Sequence, residues 1–464
     1  MSDTRVTNES RRNFGSATRR EALKVLGVAA TAGSPMLASL IASGAAAAQS
    51  ATDYKALVCV FFYGGNDNSN TVIPRLGEAY NAYQSARIPL AIPSSQILPI
   101  SPIGYSGPEL GLSPHLPGLQ RLFSQGNCAV LANVGPLAAP TTQAQYKAGS
   151  VALPSYLFSH ADQQGAWQKG IPDGPSRTGW LGRLGDVTAG AFNSGSQLSI
   201  AISVSGNATI MSGDSTIQYQ VSSGGTRPID GLDKLFAYGS GGEAMRQLLT
   251  QQRAHLLENQ YVNVCSRAIV AEEVLGGALE AQAPLATAFP ETNLGGQAQM
   301  VARMIGLREQ LNQRRQIFFI SSGGWDFHDN LLEAQQERLS EVDEALSALF
   351  AATEELGVAN NVTTFTSSDF GRALQDNGDG VDHGWGSHHF IIGGAVSGQR
   401  IYGTWPTTAI GGERDAGQGR LIPTTSVDEY AATLCSWFGV GSSELYTVLP
   451  NLSRFATTNL GLLS

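Results

Sequence analysis

Of the seven histidines in the 464-residue chain, four fall between positions 328 and 389. His328, His383, His388 and His389 share that stretch with Asp326, Asp369, Asp379 and Asp382. Imidazoles mixed with carboxylates form a ligand set for a divalent cation, and the mixture suits zinc or manganese better than calcium. Asp326 and His328 are two residues apart, so extended backbone points both to one side. Asp382-His383-Gly384 follows the glycine-rich turn Asn377-Gly378-Asp379-Gly380, which can bring another imidazole alongside. His388 and His389 are adjacent, so a strand turns them opposite ways and at most one faces such a site.

Residues far apart in sequence need a scaffold that gathers them. Three apolar, β-rich segments share one grammar, in which a short run is followed by a turn and then an acid. Ala56–Phe62 leads to Gly64-Gly65-Asn66-Asp67, Gln316–Ile320 to Gly323-Gly324-Trp325-Asp326, and Val362–Thr366 to Ser367-Ser368-Asp369. Cys128–Val134 reads as a fourth strand without an acid behind it. Continuous apolar strands indicate a mainly parallel sheet covered on both faces. Helical patterns over roughly Ala244–Val270, Gln297–Leu311 and Leu331–Leu356 supply the cover. Ligands of such sheets bind at the carboxyl ends of strands, so the three acids are expected to converge there. Residues 136–240, rich in Gly, Ser, Pro and Thr, read as a loop region with short strands that forms a pocket rim.

Charge narrows the partners. There are 29 basic and 38 acidic residues, net −9. Residues 1–48 hold six of the basic and three of the acidic ones, which leaves 23 against 35, or −12, for the rest. A body this acidic lacks the attraction to phosphate backbones that nucleic-acid binding needs. The front of the chain reads as a twin-arginine export signal. Arg19-Arg20 precede an alanine-rich apolar run from Val25 to Ile41, and Ala46-Ala47-Ala48 offer a cleavage site, leaving 49–464 as the mature domain. The expected address is periplasmic or secreted, with the twin-arginine translocase as a transient partner and no membrane span after cleavage. Cys59 and Cys128 lie within apolar strands and read as buried thiols. Neither C-x-P-x-R, the formylglycine motif of sulfatases, nor G-x-S-x-G occurs.

Gly-Gly-Asn-Asp at 64–67, Ser-His at 159–160, Ser-Asp-Phe-Gly-Arg at 368–372 and Asp-His-Gly at 382–384 occur in an order that resembles the twin-arginine-exported bacterial family "domain of unknown function 1501", of the alkaline-phosphatase-like superfamily. The resemblance runs from about Tyr54 to the helix at 428–440. It implies a three-layer α/β/α sandwich with metals at the strand ends beside a nucleophile. By the same resemblance Asp67, Asp326, His328, Asp369 and His383 correspond to metal ligands. Ser159 falls where the nucleophile is expected, before a helix whose N-terminus would stabilise an anion. By its chemistry His160 is a candidate base or ligand, and the planar fork of Arg372 can clamp an anionic substrate or pair locally.

Two departures stand out: the Asp/His pair is spaced by two rather than four, and the usual Asp-His is Asp369-Phe370. Asp382, His388 or His389 are the candidate replacements. Each residue also has a structural role open to it: Asp67 as a turn cap, Ser159 as an N-cap, Asp369 paired with Arg372. The expected function is an exported metal-dependent hydrolase of anionic esters, phosphate or sulfate, on a small molecule or polymer. The alternative is a non-catalytic secreted binding or cell-envelope protein that keeps the fold.

Overall fold

The computed structural model describes residues 54–464 apart from 233 and 235–237; the export-signal reading of residues 1–48 lies outside them. Eleven strands matter here: β1 (Lys55–Phe62), β2 (Cys128–Gly135), β3 (Ala201–Ser203), β4 (Tyr219–Gln220), β5 (Arg315–Ser322), β6 (Val362–Ser368), β7 (Arg372–Asp376), β8 (Val381–His383), β9 (Ser387–Ile392), β10 (Ile401–Tyr402) and β11 (Thr425–Ser426). Nine of them form one sheet in the order β10-β2-β9-β6-β1-β5-β3-β4, with β11 beside β2. Only β9 runs against its neighbours. β7 and β8 form a separate antiparallel hairpin.

β1 is buried along nearly its whole length because it lies mid-sheet, and its side chains alternate between two cores. Ala56, Val58, Val60 and Phe62 face one, with helices α1 (Pro117–Ser124), α5 (Asn293–Gly306) and α6 (Leu331–Glu355). Leu57, Cys59 and Phe61 face the other, with Trp167 of α2 (His160–Lys169), α3 (Trp180–Phe192) and α7 (Val427–Phe438). The result is the three-layer α/β/α sandwich that the resemblance implies, on the mainly parallel sheet expected from the apolar runs. α4 (Leu256–Ala281) belongs to the first layer through Leu275 and Leu279.

One reading needs correction, and one gains detail. The single helical pattern over Ala244–Val270 is two helices, Gly239–Thr250 and α4, because Gln251 and His255 both adopt extended backbone between them. Residues 136–240 are mainly loop and turn with the short strands β3 and β4, and they also carry the helices Gln143–Ala148, α2 and α3. All four cysteines are buried and free, and burial pushes the Cys59 thiol up to about 12.

Candidate metal centre

Strand register does the gathering. β1 lies between β5 and β6, with Phe62 level with both Ser322 and Ser368. The chain leaving each strand therefore starts from one end of the sheet. Gly64 comes two residues past β1, Asp326 four past β5 and Asp369 one past β6. The hairpin sets His383 opposite Arg372. His160 is the first residue of α2.

Asp369 is fully buried. Its Oδ2 accepts from the Gly64 N–H at 3.0 Å, from Gln164 Nε2 at 2.9 Å and from His160 Nδ1 at 2.7 Å. An ionised carboxylate only accepts, so His160 Nδ1 carries a proton and, in the neutral imidazole, the lone pair is left on Nε2. His383 is fixed in the same sense, because its Nδ1 lies 2.7 Å from the Phe158 carbonyl oxygen, which can only accept. Phe158 holds that carbonyl in place with φ at +70°, a left-handed conformation costly for a phenylalanine. The Phe370 ring packs against both imidazoles, with centroids 4.8 Å away from each.

Both Nε2 atoms turn toward Asp326 Oδ1, His160 at 3.4 Å and His383 at 3.3 Å. His160 Nε2 is buried and has no hydrogen-bond partner. The ligand-capable atoms of His160, Asp326 and His383 lie within 4.8 Å of one another. From the solvent side, His328 Nε2 approaches the same oxygen at 3.2 Å and His383 Nε2 at 2.8 Å.

Lone pairs facing a carboxylate oxygen repel unless a proton or a cation lies among them. Bonds of about 2.0–2.1 Å in a tetrahedral zinc site give ligand–ligand edges of about 3.3–3.4 Å. The N···O separations of 3.2, 3.3 and 3.4 Å match that spacing, whereas the 2.8 Å between His328 Nε2 and His383 Nε2 is a hydrogen-bond distance. On donor chemistry and on the orphaned Nε2, these residues fit a divalent cation of the zinc type.

The charges are tuned in opposite directions. The Asp369 hydrogen bond raises the pKa of His160 against a smaller effect of burial. Burial is the main cause lowering that of His383, with Arg372 and His160 adding to it. Burial acts to raise the Asp326 carboxyl, but the Arg372 hydrogen bond and charge, together with His160 and His328, bring it net below the usual carboxylate range.

Arg372 departs from the expected substrate clamp. Its guanidinium is fully buried and donates to the carbonyls of Gly65 (3.0 Å), Val381 (3.1 Å), Trp325 (2.9 Å) and Gly64, and to Asp326 Oδ1 at 2.6 Å. It is a positioning residue, and its ionic partner is Asp326 rather than Asp369. Asp67, the expected first-strand ligand, is not in the cluster. It is fully buried, caps the turn at Ser69 (3.2 Å) and forms a bidentate pair with Arg87, one arm at 2.7 Å. Asp369 acts through His160 rather than joining the ligand atoms. Ser159 occupies the N-cap position of α2 without a capping bond; its hydroxyl donates to Asp162 at 2.6 Å.

The replacement candidates stay outside. His388 and His389 are buried, with burial as the main cause pushing each imidazole down to about 3. His388 accepts from the Asn133 N–H at 3.0 Å and stacks on Trp405, and His389 lies against Trp167. Asp382 stays 3.8 Å from His328 Nδ1.

Four contributors escaped the sequence reading: the Phe158 carbonyl, Gln164, the Gly64 N–H and Arg420. Arg420 donates to the His383 carbonyl at 2.7 Å and covers the Phe158 ring at 5.0 Å. Only Gln164 left a trace, one helical turn beyond His160 on the same face.

Among curated proteins, no sequence matches the chain. Solved structures resemble it loosely. Ps i-CgsB in complex with k-i-k-neocarrahexaose is 10% identical, over 88% of this chain and 78% of the other, with a TM-score of 0.35. The lipoteichoic acid synthase LtaP from Listeria monocytogenes is 9% identical over 84% and 73%, TM-score 0.32. The PsFucS1 sulfatase from Pseudoalteromonas sp. is 11% identical over 89% and 73%, TM-score 0.33. Residues 54–447 match the model of a family described as "Protein of unknown function (DUF1501)", and the chain belongs to that family.

Proposed function

We propose that the chain is an exported hydrolase of anionic esters, phosphate or sulfate, that holds one divalent cation on His160, Asp326 and His383 with His328 beside them. The observation that carries this reading is the buried, unpartnered His160 Nε2 aimed at Asp326, with its other nitrogen fixed by Asp369. A zinc or manganese ion bound there would supply Lewis-acid polarisation of an ester oxygen.

The chain's own residues do the rest. Asp369 and the Phe158 carbonyl orient the two imidazoles, and Arg372 anchors Asp326 while lowering its proton affinity. Ser159 is the candidate nucleophile. Its hydroxyl proton already points to Asp162, and the free N–H groups at the start of α2 favour negative charge at that end. Asp326 and His328 are about half exposed, which leaves the cluster open to solvent and substrate.

The test is bound metal per chain by elemental mass spectrometry, followed by turnover of phosphate- and sulfate-ester substrates. About one equivalent, lost in His383→Ala together with turnover, supports the hydrolase. A second reading, a binding or cell-envelope protein without catalysis, is favoured by the commitment of Asp67 to Arg87, which removes one expected ligand. Absence of metal from protein loaded with zinc and with manganese would select it.

A further inference from the structure

A cavity of about 910 Å³ opens at the far edge of the sheet, between the end strand β4 and helix α4. None of its lining residues belongs to the His160–Asp326–His383 cluster. Its walls carry hydroxyls and amides, among them Ser205, Ser223, Gln197 and Gln220, with the Tyr219 side chain in the wall. Two arginines enter it, Arg227 from the loop after β4 and Arg267 from α4.

Neither guanidinium has a carboxylate partner among the described residues. Among the described residues Arg227 makes no hydrogen bond, and Arg267 gives only its Nε to the Asn263 carbonyl of its own helix, at 3.3 Å. Several other arginines are paired with acids, as in Arg75–Glu109, Arg246–Glu273 and Arg454–Asp173. In a chain of net charge −9, two unpaired guanidinium forks in one hollow mark a place for an anion. The surrounding hydroxyls and amides are donors and acceptors suited to a polyhydroxylated body. Glu272, also in the wall and 3.3 Å from the Thr226 hydroxyl, adds an acceptor for sugar hydroxyls.

We propose that this cavity binds an acidic sugar, its anionic group between Arg227 and Arg267 and its hydroxyls against the Ser and Gln side chains. The site is separate from the metal cluster and stands whether or not that cluster is catalytic.

The experiment titrates the whole mature protein with glucuronate, with glucose and with acetate by calorimetry, alongside hydrogen exchange. Glucuronate is expected to bind more tightly than either control and to protect peptides covering 217–229 and 264–272. Arg227→Ala/Arg267→Ala is expected to weaken binding by about tenfold or more while leaving metal content unchanged. Both side chains are exposed, so the fold should survive, and exchange on the unsubstituted protein gives a second readout. Equal binding of glucose, no binding of glucuronate, or protection confined to other segments would overturn the proposal.

Discussion

Replacing Asp369 by asparagine tests the logic of the centre without removing a ligand. The side chain is fully buried, and one oxygen accepts from Gly64, Gln164 and His160. An asparagine can keep its single oxygen in that place, but its NH2 must then occupy the position of Oδ1, which has no partner. A buried donor without an acceptor costs about 1–3 kcal/mol of stability. The imidazole also loses a charged acceptor that fixes its tautomer, and losses of this kind lower metal affinity by about 10–100-fold. Competition against a chromophoric chelator at pH 7.5 would measure the loss, with His160→Gln as the ligand-deleted reference. Asp369→Asn should fall between the wild type and that reference. Its His160 imidazole should titrate at lower pH than in the metal-free wild type, because the hydrogen bond that raises it is weakened. Metal affinity within about threefold of wild type, in a folded variant, would refute the claim that Asp369 works through His160.

Three further outcomes are expected. Arg87→Met strands the fully buried Asp67 carboxylate and should destabilise the protein by about 3–5 kcal/mol in urea unfolding, with metal content unchanged; a selective loss of metal would return Asp67 to the ligand set. Gly64 has φ at +121°, and a Cβ there would lie 2.6 Å from the Asp326 backbone nitrogen, so Gly64→Ala should displace Asp326 and abolish stoichiometric metal. His388 and His389 have folded pKa values of about 3, far below the ordinary 6.5 of the unfolded chain. The unfolded state therefore binds more protons between these limits. Stability should fall as pH drops from about 6.5 toward 3, by about 1.4 kcal/mol per pH unit for each histidine; a flat profile across that window in the metal-free protein would contradict their burial as neutral groups.

Much of this centre was legible in the sequence because strand ends announce themselves. The apolar runs ending at Phe62, Ile320 and Thr366 are read from composition, and parallel register then brings Asp326 and Asp369 to one end of the sheet. Residue type does not say which acid ligates and which orients, because the same carboxylate serves either purpose. Asp369 and Asp67 differ in what they meet, His160 in one case and Arg87 in the other, and neither contact leaves a periodic trace. Contacts made by backbone are still less visible, since the Phe158 carbonyl and the Gly64 N–H do their work independently of side-chain identity.

The buried guanidinium of Arg372 ties the turn after β1, the turn after β5 and the β7–β8 hairpin into one knot. It carries its own positive charge to the point where these segments meet, so their carbonyls are held together without an ion. Under the proposed reading the centre would be a socket formed on folding, unlike small metallodomains whose folding waits for the metal. Ion capture should need little rearrangement, with association close to the rate of ligand exchange at the cation. The empty and loaded proteins should have nearly the same hydrogen-exchange pattern outside the ligand residues. If the proposed ion binds, a chain built this way could finish folding first and take up the ion afterwards.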